Sequence, residues 1–163
     1  MRKYLEKEML AECLHGRIRY NATTYVGMDG FHLFEIYLDD QLVKRFSLET
    51  VNTYFIENGF KKESGRPYGH MEYWKDFWPL LDSTPVTARG EYTDEEFCDA
   101  LSCYRTQPIH ESITSENPLV RMFALLDRRI GKRTLVSVRE TFMAGPEWLS
   151  RLYQVRLDAE HLA

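Results

Sequence analysis

Six basic residues fall between Pro118 and Arg139 (Arg121, Arg128, Arg129, Lys132, Arg133 and Arg139), against a single acid, Asp127. Six bases less one acid make that segment +5; with −4 for the whole chain, the rest carries −9. Clustered guanidinium groups suit anion recognition because their planar fork binds oxyanions bidentately. Arg128, Arg129, Lys132 and Arg133 are the candidate anion-binding residues, since a helix end, a glycine and a short link would bring four charges together. The competing account is structural. Basic side chains near a helix C-terminus complement its dipole, and arginines pair with acids elsewhere in a fold.

Other chemistry is harder to assemble. His15, His32, His70, His110 and His161 are scattered along the chain, and Cys13, Cys98 and Cys103 show no metal-ligand spacing. No metal and no cofactor is indicated. Cys98 and Cys103, on a helix, read as core or boundary positions, and His15 reads as a cap on the first helix. Gly131-Lys132-Arg133-Thr134 lacks the upstream glycine and the preceding strand of a phosphate-binding loop. HExxH and GxSxG are absent as well.

Two functional readings follow. In the first, the chain is a non-enzymatic binding or interaction protein, its partner a second copy, an anionic ligand or a nucleic acid. In the second, it is an enzyme for a phosphorylated or other anionic substrate. Arg128, Arg129 and Arg133 would then hold the anion, with His70 or His110 as acid/base. Eight aromatics between Tyr54 and Trp78, interleaved with Arg66, His70 and Lys75, would line a groove or form a layer over the outer sheet face. The layer is the more economical reading.

The elements that must position these groups define an α+β domain. Residues 1–15 read as one helix stopped by Gly16. Period-two alternation over residues 17–46, broken at Gly27-Met28-Asp29-Gly30 and at Asp39-Asp40-Gln41, predicts a three-stranded antiparallel meander with Ile18 and Ile36 inward. Its middle strand is apolar on both faces.

The rest is mostly helical. Ser47 caps a helix ended by Gly59, and MEYWKDFWPLL forms a short helix. Thr93-Asp94-Glu95-Glu96 is a capping box, with Phe97, Leu101 and Tyr104 on the buried face. Asn117-Pro118 opens a helix terminated by Gly131. Residues 134–142 are either a helix capped by Thr134 or a strand carrying Val136 and Val138. Pro146 opens the last helix, whose Trp148, Leu152 and Tyr153 dock on the body.

A chain of 163 residues with 44% hydrophobic and 28% charged residues fits one domain over 1–163. The charged N-terminus lacks a signal-peptide apolar stretch, and no run approaches the roughly 20 apolar residues of a membrane span. With an odd, scattered set of cysteines, this predicts reduced thiols and a cytoplasmic location. The stretches NPLVRMFALLDRRIGKRTL and PEWLSRLYQVRLDAE, with GRIRYNATTYVGMDG and FEIYLDDQLVKRFSLETVNTYF, resemble a family of small bacterial proteins of uncharacterised function. That resemblance covers most of the chain. It implies a cytoplasmic, stand-alone bacterial domain and assigns no activity or catalytic residue.

Overall fold

The computed structural model describes residues 1–24, 32–63, 65 and 71–163. Alternating side chains build an antiparallel sheet of β1 (Ile18–Thr24), β2 (His32–Leu38) and β3 (Gln41–Phe46), in that order. Tyr20 lies opposite Ile36, and Phe34 opposite Phe46. Ile18, Tyr20, Ile36 and Leu38 all face the core, as the alternation predicts, but Ala22 and Thr24 run out into solvent. Asp39 and Asp40 turn the second hairpin with positive φ of 49° and 61°, a conformation that Asp tolerates better than most residues. The first turn, including Val26 and Gly27 to Gly30, lies outside the described residues.

The outer face of β2 departs from its apolar reading. Glu35 is buried there, accepting from Asn21 Nδ2 at 3.0 Å, Tyr37 Oη at 2.8 Å and Arg45 Nε at 2.9 Å. Burial alone would raise its pKa; these hydrogen bonds and the Arg45 charge more than reverse that and hold it below the usual carboxylate range.

Ser47 caps α1 (Leu48–Glu57), its hydroxyl accepting from Thr50 N at 3.2 Å, and Gly59 ends the turn at φ +73°. A 3₁₀ turn at Met71–Trp74 and α2 (Phe77–Ser83) follow. Val51, Phe55, Trp74 and Phe77 pack into a small core of their own that contains no strand residue. The aromatics thus pack against α1 instead of forming a layer over the sheet. Phe60 and Trp78 remain exposed, while Tyr68, Arg66 and His70 fall outside the described residues.

The Thr93–Glu96 capping box starts α3 (Asp94–Thr106), which buries Phe97, Leu101 and Tyr104. Cys98 and Cys103 lie on its solvent side, exposed, against the expectation of boundary positions. A short α4 (Ile109–Ile113) leads to α5 (Pro118–Leu126). Every residue of α5 except Arg121 is buried, as befits a helix at the centre of the layers. It lies against α3, α4 and α8 (Glu147–Ala159), while α3 packs on β2 of the sheet.

Residues 132–143 form two short helices, α6 (Lys132–Ser137) and α7 (Arg139–Met143), which decides against the strand. Gly131 is not the terminator of α5, which already ends at Asp127; it stands at the N-cap of α6. The N-terminal helix is also broken. A π-helical segment, Tyr4–Met9, is followed by extended Leu10 and Ala11 and a 3₁₀ turn at Glu12–Leu14. The break has a cause on the partner segment: Ala11 N donates to Leu126 O at 2.9 Å and Arg128 N to Met9 O at 2.8 Å, a bridge no continuous helix could make. Before the break, the Glu6 carboxylate accepts the outward N–H of Tyr20 on edge strand β1 at 2.6 Å.

Candidate functional site: a basic cleft at residues 128–132

That bridge places the residues after α5 beside the turn at Glu12–Leu14. Between them opens a cleft of about 650 Å³. Ala11, Glu12 and Cys13 line one side, Arg128 to Lys132 another, with Arg156 of α8 and Glu160 at its C-cap between them. Three of the four predicted anion-binding residues, Arg128, Arg129 and Lys132, line it. Arg133 does not; it points from α6 into solvent.

The cations differ in how far they are already neutralised. Arg129 is committed to Asp127, whose buried carboxylate accepts from Arg129 Nη2 at 2.6 Å, Arg129 N at 2.7 Å and the Tyr104 hydroxyl. Those hydrogen bonds hold the Arg129 guanidinium well above its ordinary pKa. Arg156 is only 1% exposed and ties three segments together. It donates to Cys13 Sγ at 3.2 Å, Ile130 O at 3.1 Å and Glu160 Oε1 at 2.9 Å, while its Nε has no partner among the described residues.

Lys132 Nζ donates to the carbonyl of Glu160 at 2.8 Å, which orients the ammonium without cancelling its charge. The Arg128 guanidinium makes no hydrogen bond or ion pair among the described residues. Two uncompensated cations therefore share one wall.

The cleft's one nucleophile is Cys13, whose thiol donates to Glu160 Oε1 at 3.3 Å. Burial pushes its pKa up, Glu160 adds to that, and Arg156 only partly opposes it. His110 is exposed beside Glu111 on α4 and does not line the cleft; His70 lies outside the described residues. His15 Nε2 lies 3.1 Å from the carbonyl of Leu10, the extended residue at the break, so the single helix that its cap reading requires is not there.

Sequence reasoning missed Cys13, Arg156 and Glu160. The Arg156–Glu160 pair carries a readable i,i+4 signal on α8. Nothing local announces that Cys13 meets a side chain 143 positions away.

A three-stranded antiparallel sheet with a mostly helical C-terminal half places the chain, by architecture, in the class of small α+β proteins. The chain is a member of the SF0329 protein family, whose model matches residues 1–157. No curated protein and no solved structure matches it. Among the described residues, no helix is long and apolar enough to cross a membrane.

Proposed function

We propose that this is a non-catalytic binding protein of the bacterial cytoplasm, and that the cleft between Cys13 and Lys132 holds a small anionic ligand. One observation carries the reading: Arg128 and Lys132 line the same cleft with no acid paired to either among the described residues, beside the buried Arg156. Such a pair offers fork and point-charge donors to one oxyanion. The concave shape and volume suit a small molecule better than a duplex, which needs a convex element or an extended groove. A thiol whose pKa is pushed up, with no histidine on the walls among the described residues, suits holding a ligand more than transforming it. Three unpaired cysteines fit a reducing compartment.

Cys13 makes the site its own reporter. Small phosphate esters should raise the melting temperature and slow alkylation of Cys13, read by mass spectrometry, leaving the exposed Cys98 and Cys103 unchanged. Arg128→Ala with Lys132→Ala should abolish both effects. Absence of both in the wild-type protein at millimolar ester would overturn the reading.

A further inference from the structure

The cleft that holds the two uncompensated cations also holds an uncompensated acid. Glu12 is exposed at the rim of the other wall, and among the described residues its carboxylate makes no ion pair or hydrogen bond. The second acid of the cleft, Glu160, is already committed to Arg156 and to the Cys13 thiol. Asp127 is buried behind the wall and held by Arg129 and Tyr104. Thus Arg128, Lys132 and Glu12 line the same cleft, and among the described residues Glu12 is paired with neither cation. Both signs of charge are therefore offered to the same space with neither neutralised by the other.

From this we infer that the ligand is zwitterionic: a phosphate or similar oxyanion seated between Arg128 and Lys132, with a primary ammonium a few bonds away directed at Glu12. The inference rests on the proposed function and narrows its ligand class. A purely anionic ligand would meet Glu12 as a repelling charge, whereas an aminoalkyl phosphate would match both walls. Glu12 is exposed and its side chain makes no hydrogen bond or ion pair among the described residues, so its replacement isolates the recognition effect.

The test compares phosphoethanolamine with ethyl phosphate at pH 8, where both phosphates are dianions and the amine is charged. Dissociation constants come from protection of Cys13 against alkylation, with melting temperature confirming a folded Glu12→Gln variant. The wild-type protein should bind phosphoethanolamine on the order of threefold tighter, the range an exposed ion pair provides. In Glu12→Gln that preference should vanish, and ethyl phosphate should bind slightly tighter because a repulsion is gone. Equal affinity for the two esters in the wild-type protein, or a preference that survives Glu12→Gln, overturns the zwitterion and leaves the anion site standing. Failure of both esters to protect Cys13 overturns the anion site as well.

Discussion

Arg156 Nη1 donates to Cys13 Sγ at 3.2 Å, so the C-terminal helix and the N-terminal turn are joined by a buried guanidinium at the cleft. Because the same side chain also holds Ile130 O and Glu160, the cleft's three sides share one fastening.

Arg156→Met should therefore cost about 3 kcal/mol, since it leaves Glu160 without its cation and Ile130 O without its donor. Urea unfolding would measure the loss. Alkylation of Cys13 should accelerate in the same variant while Cys98 and Cys103 react as before. A variant with wild-type stability and wild-type Cys13 reactivity would show that the guanidinium is not the fastening.

Glu35 makes stability depend on pH in a defined direction. Its folded pKa is depressed, so its contribution is fully present above the unfolded value, about 4.3, and is lost as pH falls through the folded value. Glu35→Gln should be about 1 kcal/mol less stable than wild type at pH 7. The gap between the two should close as the solution is taken below pH 4. A gap that stays constant down to pH 2 would mean the ionised carboxylate contributes nothing special.

Trp148 packs edge-on against Phe46 and Tyr92, with centroids 6.4 and 5.9 Å away, at the start of α8. Trp148→Ala should lower stability by about 3 kcal/mol, which a calorimetric midpoint would register. Its buried indole N–H lies near the Tyr92 hydroxyl without a well-formed hydrogen bond to it. Trp148→Phe removes that poorly satisfied donor while keeping a ring, and should cost much less.

Duplex DNA should bind weakly and with a shallow salt dependence. The compensation of Arg129 by Asp127 leaves Arg128, Lys132 and Arg133 for phosphates. Two or three contacts correspond to a log–log salt slope of about −2 to −3. Fluorescence anisotropy at two salt concentrations would give the slope; a value near −4 or steeper would mean that Arg129 leaves Asp127 on binding.

Local rules carried the parts of this fold that depend on neighbours in sequence. The Ser47 cap, the Thr93–Glu96 box, Pro118 at the first turn of α5 and the inward set of Ile18, Tyr20 and Ile36 are all decided within a few residues. What escaped was decided at a distance. Residues 1–15 have a helical pattern, yet Leu10 and Ala11 are extended because the backbone at Leu126–Arg128 claims them. Glu35 sits in a strand that reads apolar on both faces because Arg45, Asn21 and Tyr37 converge on it from all three strands. The site shows the same division. Charge density pointed to the 128–132 side, but the other sides came from the end of α8 and from the N-terminus.

The Glu6 carboxylate on Tyr20 N has a consequence for the protein in a crowded solution. Edge strand β1 offers open backbone donors and acceptors to any passing chain, and such edges are where sheets grow into aggregates. A negative side chain sitting on the outward N–H at the middle of β1 occupies a donor that an incoming strand would need. It also places a charge that the newcomer's carbonyl would have to approach. Because Glu6 is held by the short segment that breaks before Leu10, the guard on the sheet's edge is set by the same kink that opens the cleft. Straightening residues 1–15 into one helix would leave the protein both without its pocket and prone to self-association.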